Sequence, residues 1–280
     1  MNKKFNQLEI DFIEYLADRR NEPFDKAEKI YNQVRNHFEY FQGKRYQRAV
    51  SGINQVYWLY HNPQDQKNLI ESYKSIAYSH LLRYLSYSYP KSFSERLHSA
   101  RILLRKKQYK EFFQFGSRYF KTAITKKDTI DLLLENTSQN PVIVDYGCGT
   151  APFSSKIAQK IPSAKIYLID IDTVVLDFTV FRFRKYQYNF EVIKVTNENL
   201  YPVLPEHELC LANEVMEHVY EPLRVYGNIH SSMIPGGLLF GNFADQTKHM
   251  LHVSPDLSAL REKISQDYVS VDIKLYRKVR

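Results

Sequence analysis

Two hydrophobic periodicities divide the chain. Over the first 137 or so residues apolar positions recur at three- and four-residue steps, with Phe5, Leu8, Phe12 and Leu16 forming one stripe, the spacing of a helix with one buried face. Pro23, after Asn21 and Glu22, predicts one helix start, and Pro63, after Asn62, predicts another that opens the longest helix. That second helix places Leu69, Tyr73, Ile76, His80, Tyr84 and Tyr87 near one face and ends before Pro90. Ser92 with Glu95 has capping-box spacing, and shorter helical patterns follow at 112–120 and 128–134.

After a polar, turn-rich link at 136–141, the pattern changes to short apolar runs alternating with helical segments. Strands are expected at 142–146, 164–170, 191–196, 207–213, 237–243 and 268–277, and helices at 151–161, 173–186, 221–233 and 254–265. Such alternation predicts an α/β fold with a doubly wound, mostly parallel sheet. The division is a helical domain over residues 1–137 and a sheet domain over 138–280. Pro202 and Pro205 in the link from the third strand to the fourth argue against a helix there.

The candidate chemistry lies where the strands end. Val142, Ile143 and Val144 lead into Asp145-Tyr146-Gly147-Cys148-Gly149-Thr150, a strand, an acid and a glycine turn that opens a helix. Gly147 and Gly149 let the backbone turn tightly and approach a ligand. Such turns also cap ordinary βα units, so the support comes from downstream. The second strand ends at Asp170, about 20 residues past the turn, where an acid can accept hydrogen bonds from ribose hydroxyls. Asp172 can share that role. The fourth strand runs into Asn213-Glu214-Val215-Met216-Glu217-His218-Val219, and Pro235-Gly236-Gly237 precedes the fifth.

In these four segments, taken in order, the chain resembles the class I (Rossmann-like) S-adenosylmethionine-dependent methyltransferases. The resemblance covers residues 138–280, with Ala151 standing where the family usually has a third glycine, a position read as serving close helix packing. It implies a methyltransferase enzyme with S-adenosylmethionine as cofactor. It assigns Gly147 and Gly149 to the methionine side and Asp170 to the ribose, and makes Asp145, Asp172, Asn197 and Asn213 further cofactor-binding candidates. The family's sheet ends in an antiparallel pair, whereas the pattern here leaves one long strand at 268–279, so the far edge is expected to be trimmed or completed by another chain.

Methyl transfer needs an aligned nucleophile, a dry cleft and, for a protonated acceptor, a base. His218 is the best base candidate, with Glu214 and Glu217 beside it; the competing reading is that this segment merely packs behind the cofactor. If a helix starts there, Glu214, Glu217 and His218 share a face, and His249 and His252 after the fifth strand could converge on the same divalent metal. The alternative is that the two histidines hold the acceptor by hydrogen bonds.

Composition narrows the function. The chain has 280 residues and a net charge of +8, but residues 1–140 carry 24 Lys and Arg against 15 Asp and Glu, or +9, and residues 141–280 carry 15 against 16, or −1. A basic half is compatible with RNA contact and equally with a solvated helical surface. Of the 22 tyrosines, 13 fall in the front half, where they can build core or line an amphipathic pocket. Two cysteines, Cys148 and Cys210, provide neither a disulfide framework nor a thiolate metal site. With no signal-like start and no segment of membrane-spanning length, the expected location is cytoplasmic. The first functional reading is methylation of a small-molecule or natural-product acceptor at oxygen or nitrogen, with the helical domain as a lid. An rRNA-type methyltransferase and a non-catalytic cofactor-binding partner subunit are the alternatives. The Asn-Pro-Pro-Tyr type of motif of base-amine methylation is missing, and the oligomeric state is open.

Overall fold

A computed structural model describes residues 5–42, 70, 74, 77, 81, 129–245, 253–254, 256–272 and 274–279, with side chains in the first segment up to Gln33. Helices α1 (Gln7–Arg20) and α2 (Phe24–Gln42) form the front hairpin. Asn6 caps α1, its Oδ1 accepting from the Glu9 amide at 2.9 Å while Glu9 accepts from the Asn6 amide at 2.8 Å. Residues 70, 74, 77 and 81 are helical, with Ile70, Ala77 and Leu81 buried. The expected aromatic stripe from Leu69 to Tyr87 and the helices at 92–104 and 112–120 lie outside the described residues.

The sheet domain contains β1 (Val142–Tyr146), β2 (Lys165–Ile171), β3 (Phe190–Val195), β4 (His207–Leu211), β5 (Met233–Phe240), β6 (Tyr268–Asp272) and β7 (Leu275–Lys278). Between them run α4 (Pro152–Lys160), α5 (Val174–Lys185), α6 (Pro222–Ser232) and α7 (Ser258–Asp267), and α3 (Thr129–Glu135) precedes β1. The strand order is β3-β2-β1-β4-β5-β7-β6, with β1 to β5 parallel and β7 antiparallel to both β5 and β6. Residues 196–206 form no helix, as the two prolines require.

The central strands are buried on both faces, which is why they read as unbroken apolar runs. Ile143, Leu209 and Leu238 pack under α3, α4 and α5, while Val144, Cys210 and Leu239 pack under α6 and α7. α1 docks on the outer side of α5, where Phe12 meets Phe178 edge-on at 5.3 Å and Tyr15 meets it at 5.6 Å. No helix among the described residues is long and apolar enough to cross a membrane.

Two expectations are corrected. The stretch at 268–279 is a hairpin, so the chain supplies its own antiparallel pair and the sheet has seven strands. The turn around Lys274 has none of the Gly, Pro or Asn signals that mark a reversal in sequence. β5 also begins earlier than expected, at Met233, and carries Pro235 and Gly236 inside it. The ladder with β4 jumps from His207↔Met233 to Leu209↔Leu238, so residues 234–237 bulge out and Pro235 needs no ladder partner.

Candidate functional site

The site forms at the carboxyl ends of β1, β2 and β4. β1 delivers Gly147, whose amide donates to the Ile169 carbonyl at 2.7 Å, and the Cys148 amide donates to the same oxygen at 3.1 Å. Gly147 (φ 66°) and Gly149 (φ 52°) have left-handed backbone, which glycine adopts without steric cost. A Cβ on Gly147 would also come within 2.5 Å of the Val215 side chain beyond β4. Ala151 is left-handed too (φ 47°, ψ 52°) and fully buried at the start of α4. The usual third glycine is therefore replaced at a cost of roughly 1–2 kcal/mol in backbone strain, and the position requires a special backbone as well as close packing.

The acids around the turn have different tasks. Asp170 accepts from the Gly149 amide through Oδ2 and from the Ile171 amide through Oδ1, both at 2.7 Å. Burial raises its pKa despite these bonds, and its remaining lone pairs can accept ligand hydroxyls. Asp145 sits beneath the turn, accepting from Ser154 Oγ of α4 at 2.5 Å. Burial pushes its pKa up to about 7, with the Asp170 charge adding to the shift. Asp145 therefore fastens the helix start to β1.

A cavity of about 170 Å³ opens beside the turn. Gly147, Gly149, Asp170, Tyr201, Glu214 and His218 line it, and Ala77 brings the front part of the chain to its wall. Typical ligand pockets run from roughly 300 to 1,000 Å³, so a ligand of nucleoside size requires lining side chains to move. The Tyr201 hydroxyl donates to Glu221 at 2.5 Å, and Arg224 lies 3.9 Å over its ring. Burial and then Glu221 push that phenol up to about 12. Tyr146 and Thr173 line the cavity as well; Tyr146 lies within the glycine-turn motif but was not singled out, and neither spacing nor motif marks Thr173 or Tyr201. A larger groove of about 650 Å³ between α1, α5 and β3 shares no lining residue with this cavity and contains neither the turn nor Asp170.

Several sequence candidates stand elsewhere. Asp172 is exposed and pairs with Lys194 at 2.9 Å, turned away from the cavity because it follows the end of β2 by one residue. Asn213 accepts from Lys274 at 3.2 Å. Asn197, in the loop after β3, is half-buried with its Oδ1 enclosed and is not part of the cavity wall.

The expected helical face at Glu214, Glu217 and His218 does not form. Glu214 is left-handed (φ 59°) and a single 3-10 turn spans Met216–His218. Glu214 is exposed and accepts from Asn242 Nδ2 at 2.6 Å. Glu217 is 1 % exposed, and burial, together with Glu214, pushes it up to about 7. His218 faces the cavity. Glu214 and His218 line one cavity and Glu217 lies within hydrogen-bond reach of Glu214, but among the described residues no group of three or more His, Cys, Asp or Glu is placed to hold a metal. His249 and His252 lie outside the described residues. Both thiols are buried and raised well above the usual cysteine range.

The sheet order, the glycine turn and the acid ending β2 define a class I, Rossmann-like methyltransferase domain. Residues 137–270 match the family described as a methyltransferase domain. Malonyl-[acyl-carrier protein] O-methyltransferase 1 of Ilyobacter polytropus is 26% identical over 178 residues, covering 61% of this chain and 65% of the relative. The malonyl-[acyl-carrier protein] O-methyltransferase of Halalkalibacterium halodurans is 26% identical over 137 residues, covering 46% and 50%. The chain thus spans less than two thirds of the length of these relatives. Among solved structures, the [4+2]-cyclase SpnF is similar at 18% identity and a TM-score of 0.41, covering 51% of this chain and 57% of that one.

Proposed function

We propose that the chain is an S-adenosylmethionine-dependent methyltransferase acting on oxygen or nitrogen of a small acceptor, with an oxygen nucleophile favoured. The observation that carries this reading is the meeting of Gly147, Gly149, Asp170 and His218 on one cavity at the strand ends. The residues fit the cofactor. Gly147 leaves the turn without a side chain where a Cβ would meet Val215, and Asp170 presents a half-buried carboxylate whose oxygens already take two amides and have lone pairs to spare. Asp170 would hold the ribose hydroxyls and the Gly147–Gly149 backbone the methionine side. When bound, the cofactor supplies an electrophilic methyl group on a sulfonium.

His218, on the same cavity, would take the proton of a hydroxyl or amine acceptor and would orient an acceptor that is already ionised, such as a carboxylate, while Tyr146, Ile171 and Val215 exclude water. Both relatives are named as O-methyltransferases of a malonyl group on acyl-carrier protein, which supports an acyl or carboxylate oxygen as acceptor. The front part of the chain, reaching the cavity at Ala77, would cover the acceptor. Of the 24 Lys and Arg in residues 1–140, 18 lie outside the described residues, and no described surface favours RNA over a small acceptor. Calorimetry with S-adenosylmethionine and S-adenosylhomocysteine is the direct test: micromolar binding that Asp170→Ala weakens supports the reading, and unchanged affinity in a folded variant refutes it.

A further inference from the structure

We propose that Asp11, from the front helix α1, is a positioning residue for the cofactor turn, acting through Arg182 of α5. This rests on the cofactor reading above and adds that the turn is held in shape from the front part of the chain.

The connection can be followed bond by bond. Asp11 is fully buried. Its Oδ2 accepts from Arg182 Nε at 3.0 Å, and its Oδ1 accepts from Lys185 Nζ at 2.7 Å, Tyr186 OH at 2.7 Å and Gln7 Nε2 at 3.1 Å. The far side of the same guanidinium, Nη1, donates to the carbonyl of Thr150 at 2.9 Å. One turn earlier on α5, Thr179 Oγ1 donates to the carbonyl of Gly149 at 2.7 Å. Two consecutive carbonyls of the turn are thus fixed by side chains three residues apart on one helix, leaving the Gly149 amide directed to Asp170.

The turn needs such fixing. Gly147, Gly149 and Ala151 are all left-handed, and Ala151 has a Cβ, so this backbone persists only where its surroundings over-determine it. Arg182 can serve because its planar fork reaches two acceptors at once, which a lysine ammonium at the same place would not do with fixed geometry. A guanidinium with a 12 % exposed side chain also needs a counter-charge to stay there, and Asp11 is that charge. Burial alone would raise the Asp11 pKa, yet the bonds from Lys185, Tyr186, Gln7 and Arg182 hold it below the ordinary carboxylate range. The contact is long-range, 171 residues apart, so α1 completes the turn as well as lying beside it.

The test uses the full chain and two readouts. The first is the dissociation constant for S-adenosylhomocysteine; the second is amide hydrogen exchange of the peptide covering 147–151 in cofactor-free protein. Arg182→Met and Asp11→Asn, the latter keeping the side chain's shape, are each expected to weaken binding about tenfold or more, the scale of one charge-assisted hydrogen bond. Both are expected to speed exchange of the turn by a similar factor. Tyr186→Phe removes a bond to the same carboxylate without touching the turn, and is expected to leave both readouts within about twofold. If Arg182→Met folds and the turn exchanges as in the unaltered protein, or if Tyr186→Phe matches it, the proposal is overturned and the cluster only fastens α1. If the unaltered protein binds no cofactor, the functional reading fails while the exchange comparison still decides this one.

Discussion

The amide of Gly149 and the carboxylate of Asp170 are joined at 2.7 Å, so the turn after β1 and the end of β2 form one unit. Replacing Asp170 therefore has two effects that can be separated. Asp170→Asn keeps an acceptor for the amide but loses the negative charge, and Asp170→Ala loses both. S-adenosylmethionine affinity is expected to fall by about 1.5–3 kcal/mol in Asp170→Ala, the range for hydrogen bonds to a charged group, and by less in Asp170→Asn. Titration calorimetry on the two variants gives the order, and equal losses would show that the amide contact contributes nothing.

Gly147 tests the approach of backbone to Val215. A Cβ on Gly147 would stand 2.5 Å from Val215 Cγ2, which leaves no room for a methyl group, and the φ of 66° adds backbone strain to any side chain there. Gly147→Ala is expected to destabilise the fold by about 1–3 kcal/mol and to distort the cavity wall. Val215→Ala in the same chain removes the atoms that clash and should recover part of the loss, while the backbone strain remains. Urea midpoints of the two single variants and the double variant provide the check; additive losses would mean that the two residues do not meet.

The fold was legible where one face or both faces of an element are buried. β1, α4 and α5 fall within a residue of their expected bounds, because Val142 to Val144 is a doubly buried run and Phe153, Ile157, Leu176 and Phe183 carry a clear helical period. Gly147, Gly149 and Asp170 were legible as a set because each occupies a strand end in a fixed order. The β6–β7 reversal was hidden, since the turn around Lys274 uses ordinary residues. The direction of each side chain after β4 was hidden too. The helical spacing of Glu214, Glu217 and His218 is real only in a helix, and here Glu214 is left-handed and only Met216–His218 form a 3-10 turn. The Asp11–Arg182 bond joins residues 171 apart, and no local pattern encodes it.

Asp145 makes the stability depend on pH. Its folded pKa, about 7, lies above the ordinary carboxylate value because the charged form is buried. A group raised in this way contributes stability that is fully present below pH ~4 and lost as pH rises through about 7. Asp145→Asn keeps an acceptor for Ser154 without the charge. It is expected to be more stable than the unaltered protein at pH 8, by up to about 4 kcal/mol, and to have a smaller loss of stability between pH 4 and 8. Denaturant unfolding at pH 5 and pH 8 measures both. Parallel pH profiles for the two proteins would show that Asp145 is not the titrating group; some slope should remain in the variant, because Glu217 is also pushed up to about 7.

His218 separates binding from chemistry. It lines the same cavity as the glycine turn and belongs to a 3-10 turn whose acid, Glu217, is buried. If His218 takes the acceptor's proton, its removal acts on turnover and leaves the cofactor contacts at Gly147, Gly149 and Asp170 in place. His218→Asn is expected to lower kcat by about 10²–10⁴-fold, the range for a positioned acid or base, with the cofactor dissociation constant within about threefold. The dependence on acceptor distinguishes a base from a packing residue. An acceptor whose oxygen is already ionised, such as a carboxylate, has no proton to surrender, so the loss should shrink to the effect of altered positioning. Turnover of His218→Asn on a hydroxyl acceptor and on a carboxylate acceptor, each compared with the unaltered protein, decides the matter. A large loss on the hydroxyl alone identifies proton transfer. An equal loss on both identifies a residue that orients the acceptor, and no loss on either assigns His218 to packing behind the cofactor.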